Sequence, residues 1–195
     1  MHIKDTYLKH LSRIDNVQKR LIDRYDKPQL SKSEDFILDL CKYIIFQQIS
    51  TKAGNSIYKR FTEFYHLNKK NLVSWNENDC KKIGLSKQKR NYIENIFNEK
   101  HSINELYDCT DQSIIRNKLI NIKGVGNWTI DMFMIFTKGD LNIFPEGDLA
   151  LINSIKKEYQ VNTIEEIRSI SEKWAPYKTI ATLYLWQSLE DDFPN

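Results

Sequence analysis

Apolar residues recur along nearly the whole chain at intervals of three, four and seven, the period of an α-helix, and no stretch sustains the alternation of a strand. Tyr7, Leu8, Leu11, Ile14, Leu21, Ile22 and Tyr25 form one such stripe, closed by Pro28. Ser33 followed by Glu34 and Asp35 suits a helix start, and Phe36, Ile37, Leu40, Ile44 and Ile45 form the inner face of a helix ending near Gln48. Ser50 or Thr51 caps the next helix, with Ala53, Ile57, Phe61 and Phe64 along it. Asp79 is expected to open a short helix that Gly84 stops, and Ser86 to cap another facing inward through Tyr92, Ile93, Ile96 and Phe97.

The second half reads the same way. Thr110 is expected to start a helix with Ile114, Ile115 and Leu119 inward, and Asn127 to cap one bearing Met132, Ile135 and Phe136. Residues 144–147 form a loop, and Asp148 stands where the following helix begins. Thr163-Ile164-Glu165-Glu166 fits a capping box, and Pro176 fits the first position of a last helix running through Ile180, Leu183 and Tyr184 to Trp186. The expectation is an all-α protein with short connections and no internal repeat. The stretch from Lys27 to Ser33 is its one linker-like segment.

Composition narrows the class. At 195 residues the chain can bury a core as one domain or as two small lobes. With 41% apolar and 28% charged residues, 6 Gly and 4 Pro, collagen-like, low-complexity and disordered readings are excluded. The longest apolar run, Tyr43 to Phe46, is far too short to span a membrane, and residues 1–5 carry no apolar signal segment. Cys41, Cys80 and Cys109 are widely spaced and form no CxxC, which points to a reducing, cytoplasmic setting. His2, His10, His66 and His101 show no metal-ligand pairing. A net charge of +3 permits a nucleic-acid partner without demanding one.

The most informative segment is Leu119-Ile120-Asn121-Ile122-Lys123-Gly124-Val125-Gly126-Asn127-Trp128-Thr129. A Gly-x-Gly turn stands between two helices, in a hairpin spanning residues 113–136, with glycine in both places allowing a sharp turn and a close backbone approach. The amides of Gly126, Asn127 and Trp128 then open a helix, an end that suits an anion such as a DNA phosphate, with Lys123 adding charge beside it. An ordinary helix–helix turn would satisfy the same two glycines. Phe144-Pro145-Glu146-Gly147-Asp148-Leu149-Ala150-Leu151 follows 20 residues after Gly124 and supplies one carboxylate at a helix start.

A hairpin followed by a Gly/Pro-containing loop and an aspartate resembles the helix-hairpin-helix (HhH-GPD) DNA glycosylase superfamily, and within it the 3-methyladenine glycosylase II type. Ile44-Ile45-Phe46-Gln47-Gln48-Ile49-Ser50 is similar to the family's Gln-Gln segment, which faces the DNA at the lesion. Ile83-Gly84-Leu85-Ser86-Lys87-Gln88-Lys89-Arg90 resembles its Gly-Leu-Ser-x-x-Lys stretch, and Trp174-Ala175-Pro176 with Tyr184-Leu185-Trp186 resembles its Trp-x-Pro and terminal helix. The similarity runs from about residue 30 to residue 190 in the family's order.

The resemblance implies a two-lobed helical catalytic unit over residues 1–195 with a cleft between the lobes, acting on damaged double-stranded DNA. It implies Asp148 as the catalytic carboxylate, supporting positive charge that develops on the sugar as an alkylated purine leaves. Capping its helix would be a sufficient role for an isolated aspartate there. Trp128 stands where strand-cleaving relatives carry a lysine, so the implied enzyme releases the base and leaves an abasic site without lyase chemistry. Trp128 and Trp186 are implied as pocket aromatics for a cationic base, with a core role as the alternative for Trp186. Gln48, with Gln47 and Ile49 beside it, falls where the family inserts a wedge, and Lys87, Lys123, Gly124, Val125, Gly126, Asn127 and Thr129 complete the implied DNA-binding set. Lys89 and Arg90 could meet phosphate or simply face solvent.

The chain also departs from some relatives. Residues 1–30 read as helix where such enzymes carry a small β-rich domain, and no cysteine follows Cys109, so no iron–sulfur cluster is expected. Hairpins of this family often hold a monovalent cation on backbone carbonyls, which here would be those of Ile120, Ile122 and Val125; no other metal or cofactor is expected. A monomer is expected. Two other readings compete: a glycosylase for another lesion, such as uracil or a mismatched pyrimidine, and a non-catalytic DNA-binding module.

Overall fold

The computed structural model describes residues 3–30, 33–67 and 75–190. Among them are twelve α-helices and one π-helical turn, with no strand. The chain divides into two compact units, one made of Met1–Lys32 with Met134–Asn195 and the other of Ser33–Phe133.

The unit that carries both termini begins with α1 (Asp5–Ile14) and α2 (Asn16–Arg24), two helices where the apolar stripe predicts one. Asp15 makes the break. Its Oδ1 accepts the amides of Val17 and Gln18, capping α2, while its Oδ2 accepts Trp174 Nε1 and the Tyr159 hydroxyl, each at 2.9 Å. Burial, and then the Asp15 charge, push the Tyr159 phenol far above its ordinary pKa. The later helices of this unit are introduced below after those of the other, in chain order.

The other unit is built around α3 (Phe36–Phe46), whose Phe36, Ile37, Leu40, Cys41, Ile44 and Ile45 are buried. Its cap is Asp35, accepting from the Leu38 amide, and not Ser33, whose hydroxyl accepts from the Asp35 amide. Helix α4 (Thr51–Leu67) follows, with the Ser50 hydroxyl accepting the Ala53 amide. Helix α5 (Glu77–Ile83) is capped by Asn76, not opened by Asp79; Asp79 is the third residue and closes a capping box. Gly84 ends it in the left-handed region at φ 92°. Ser86 caps α6 (Lys87–Asn98), as its position predicts, and α7 (Lys100–Asn104) is a short helix that the pattern does not reveal. Helix α3 packs against α4, α6, α7 and the later α9.

The hairpin consists of α8 (Gln112–Leu119) and α9 (Asn127–Met132), continued by a π-helical turn over Phe133–Thr137. Asp111, not Thr110, caps α8 by accepting the Ser113 and Ile114 amides. Ile115 and Leu119 face inward as expected, but Ile114 is exposed, because α8 is too short and too near the surface to bury a third apolar position. Arg116 on α8 donates to Asp131 on α9 at 2.5 Å, tying the two helices together. Burial raises the Asp131 carboxyl above its ordinary pKa against the opposing pull of Arg116.

Returning to the terminal unit, α10 (Leu149–Tyr159), α11 (Ile164–Lys173) and α12 (Lys178–Glu190) surround buried Leu151, Ile155, Ile167, Ile180 and Leu185. Thr163 and Glu166 form the predicted capping box. Pro176 lies before α12 and not at its first position, since the helix begins at Lys178. Thr179 ties the start of α12 to the preceding loop: its hydroxyl donates to the Asp140 carbonyl at 2.8 Å and accepts the Ile143 amide at 3.0 Å.

Candidate active site and nucleic-acid interface

Asp148 caps α10 with Oδ1, which accepts the Leu151 amide at 2.8 Å. The loop before it is closed by its own backbone, the Asp148 amide donating to Pro145 at 2.9 Å. Glu146 in that loop accepts two bonds from Arg168 of α11, at 2.9 and 2.6 Å, a fork that joins loop to helix. The Arg168 guanidinium holds the Glu146 carboxyl below its ordinary pKa.

Two aromatic side chains stand with this carboxylate in the same unit. Trp186 Nε1 lies 3.5 Å from Asp148 Oδ1, and the Trp186 ring stacks on Phe136 with centroids 5.9 Å apart and planes 19° from parallel. Both rings are only partly buried. The sequence spacing puts Phe136 on the inner stripe of a regular α-helix and gives no sign of this stack; residues 133–137 instead form a π-helical turn. Leu149, next to Asp148, is 78% exposed.

The remaining predicted residues lie in the Ser33–Phe133 unit. Gly124 has φ 105°, and a Cβ built there would stand 2.2 Å from Cγ of Tyr92, so only glycine fits. Gly126 differs from the expectation of a sharp turn and a close backbone at both glycines. Its φ of −106° is open to any residue, among the described residues nothing beyond its chain neighbours lies within 4 Å of an added Cβ, and what crowds Gly124 is the Tyr92 side chain rather than backbone. Gly126 also takes the cap position assigned to Asn127, which is instead the first residue of α9. No side chain caps α9. Asn127 and Lys123 are exposed, while Trp128 is partly buried.

Val125 is buried and plugs the turn. Thr129 is fully buried, and its hydroxyl accepts from Gln47 Nε2 at 2.9 Å; the same amide donates to the Gly124 carbonyl at 3.1 Å. Gln47 and Thr129 therefore fasten the hairpin to the end of α3. Gln48 is exposed with φ 55°, and Ile49 is partly buried. Lys87 and Lys123 border an open groove of about 680 Å³ along α6, which Asn91, Tyr92 and Asn95 also line. Lys89 does not face that groove with them. Its Nζ donates to the carbonyls of Ile45 and Gln47, and Arg90 pairs with Glu94 at 2.8 Å.

The Val125 amide donates to the Ile122 carbonyl at 2.9 Å, closing the turn; neutral carbonyl oxygens of such a turn suit a weakly held monovalent cation. Among the described residues no group of three His, Cys, Asp or Glu could hold a metal ion, and no helix is long and apolar enough to cross a membrane. The three cysteines are unpaired thiols.

A family model described as HhH-GPD superfamily base excision DNA repair protein matches residues 41–176. The alkylbase DNA glycosidase-like protein mag2 of Schizosaccharomyces pombe is 30% identical over 92% of this chain and 91% of its own length. The solved structure of the S. pombe 3-methyladenine DNA glycosylase Mag1 in complex with abasic DNA superposes with a TM-score of 0.85 at 25% identity, covering 97% of this chain and all of that one. A DNA-3-methyladenine glycosidase from Bacillus halodurans superposes with a TM-score of 0.74 at 27% identity, over 96% and 92% of the two chains.

Proposed function

Because the chain belongs to the HhH-GPD superfamily of base excision DNA repair proteins, we propose that it is a monofunctional DNA glycosylase that releases alkylated purines such as 3-methyladenine from duplex DNA. The observation that carries this reading is the Asp148 carboxylate standing beside the Trp186–Phe136 stack. A carboxylate and aromatic faces are what a cationic leaving base and a cationic sugar require.

The base must first leave the stack, at a cost of a few kcal/mol. A purine alkylated on a ring nitrogen is cationic, and the indole of Trp186 attracts it while stacking beneath it. As the C1′–N bond breaks, its electron pair neutralises the base and the sugar becomes oxocarbenium-like. Asp148 stabilises that charge and orients a water; the water adds to C1′ and gives up one proton, leaving an abasic site. Trp128 offers no nucleophile, which supports hydrolysis without strand cleavage.

The strand grip belongs to the hairpin. The space over Gly126 and the exposed Asn127 and Lys123 suit a phosphate on the amides that open α9, with Lys87 on the same unit. A monovalent cation, where present, would be held by the carbonyls of Ile120, Ile122 and Val125 and would add positive charge near that phosphate. Chemistry and grip are thus assigned to different compact units, both needed for one activity over residues 1–195. We read the enzyme as a cofactor-independent monomer in a reducing cytoplasm, a setting in keeping with its free thiols.

Mass spectrometry of bases released from methylated duplex DNA tests the reading. Wild-type protein should free 3-methyladenine, and Asp148→Asn should keep duplex affinity while losing release by about a hundredfold or more. Duplex binding without base release would make the chain a DNA-binding module. Release of uracil in place of methylated purines would reassign the lesion.

A further inference from the structure

The end of α3 is held by a lysine from α6. Lys89 Nζ donates to the Ile45 carbonyl at 2.7 Å and to the Gln47 carbonyl at 2.9 Å. Carbonyls at a helix C-terminus lack amide partners within the helix, so an ammonium there both satisfies them and opposes the negative end of the dipole. The contact has a cost: burial lowers the Lys89 pKa from its ordinary value, and the charge-assisted bonds must offset that desolvation. A lysine serving only solubility would not be drawn inward in this way.

The same turn is fastened from its other side. Gln47 donates through its side chain to Gly124 and Thr129 of the hairpin while its backbone carbonyl accepts from Lys89. The next residue, Gln48, is exposed in the left-handed region at φ 55°. For a residue with a Cβ that conformation is strained and persists only where its surroundings impose it.

We propose that Lys89 is a positioning residue for base extrusion: by clasping the Ile45 and Gln47 carbonyls it presents Gln48 as the side chain that fills the gap left by the flipped base. The inference rests on the glycosylase reading and deepens it, since Lys89 Nζ bonds the backbone carbonyls of Ile45 and Gln47. Its role is separable from that of surface lysines meeting phosphate. A phosphate contact contributes to affinity on every duplex, whereas a residue acting through Gln48 matters only where the base must be expelled from a pair.

Single-turnover base release on two substrates tests this. One is a duplex with 7-methylguanine paired to cytosine, and the other carries the same lesion in a one-nucleotide bulge, where little unstacking is needed. Lys89→Met should slow release from the paired lesion by about tenfold or more and from the bulged one by less than about threefold. Lys89→Arg, which keeps donors on a long stem, should recover most of the loss. In a Gln48→Ala background, Lys89→Met should add nothing further. Equal slowing on both substrates, or full additivity with Gln48→Ala, would overturn the inference. If Lys89→Met does not fold, Lys89→Gln is read on the same pair of substrates by the same criteria. A wild-type protein releasing no base from either substrate would overturn the glycosylase reading itself, and the Lys89 inference with it.

Discussion

The indole nitrogen of Trp186 stands 3.5 Å from Oδ1 of Asp148, so one side chain offers the carboxylate a polar edge and any ligand beside it an aromatic face. A cation–π contact in a partly desolvated site contributes about 0.5 to 2 kcal/mol. Trp186→Ala should therefore lower kcat/KM for a cationic lesion such as 7-methylguanine by about twofold to thirtyfold, and for neutral hypoxanthine by less. Trp186→Phe keeps a ring and should retain most of the activity. Paired single-turnover assays on the two lesions check this.

The two glycines of the hairpin should respond in opposite ways. Gly124→Ala places a Cβ at φ 105° and 2.2 Å from the Tyr92 ring, so it should destabilise the fold by at least about 2 kcal/mol. Gly126→Ala meets open space at an ordinary φ and should leave the melting temperature within a degree or two. If a phosphate docks there, the same methyl group should weaken duplex affinity. Thermal melts and DNA titrations on both variants separate structural from binding glycine.

Acid should release the clasp on the loop that carries Asp148. The Glu146 carboxyl is held below its ordinary value by Arg168, so its contribution is present above the unfolded-state pKa and is lost as pH falls through the lower folded-state pKa. Both partners are substantially exposed, at 41% and 57%, so solvent screening keeps the effect small. Arg168→Met should be slightly less stable than wild type at neutral pH. The two should converge below the folded-state pKa of Glu146, as urea unfolding across the acid range would register.

Asp15 holds more than its own helix. Asp15→Ala removes the α2 cap, strands the fully buried Trp174 indole and takes the acceptor from the partly buried Tyr159 hydroxyl, which keeps its bond from Gln18 Nε2 at 3.4 Å. A cap is worth about 1 kcal/mol and the buried unsatisfied indole donor about 1 to 3, so a loss of about 2 to 4 kcal/mol is expected. Asp15→Asn keeps acceptor oxygen and should lose less. Chemical denaturation of the two variants gives the comparison.

Local signals were legible where a few neighbouring residues decide the outcome. Gly84 as a left-handed stop follows from its lack of a Cβ, and Ser86 as a cap, the Thr163–Glu166 box and Asp148 at a helix start follow from side chains bonding amides three residues away. Where two or three polar residues stand together, the same logic chose the wrong one. Asn76 rather than Asp79, Asp111 rather than Thr110, and Asp35 rather than Ser33 hold the amides. Adjacent candidates differ little in intrinsic capping strength, so packing of the helix decides among them.

By itself the amino-acid order determined the helical class, most of the helices in their order, the Gly-x-Gly turn of the hairpin, and the placing of Asp148 at the start of α10; that Gly124 alone is obligatory follows from the Tyr92 ring packed against it. Periodicity and turn chemistry act over a few residues, and a linear reading captures them. Only the tertiary structure decided that Phe136 stacks on Trp186, that Asp15 serves Trp174 from 159 residues away, and that Lys89 turns inward to carbonyls 42 and 44 residues earlier. Those partners are selected by burial, which makes an unsatisfied polar group costly, and burial exists only once distant segments have packed.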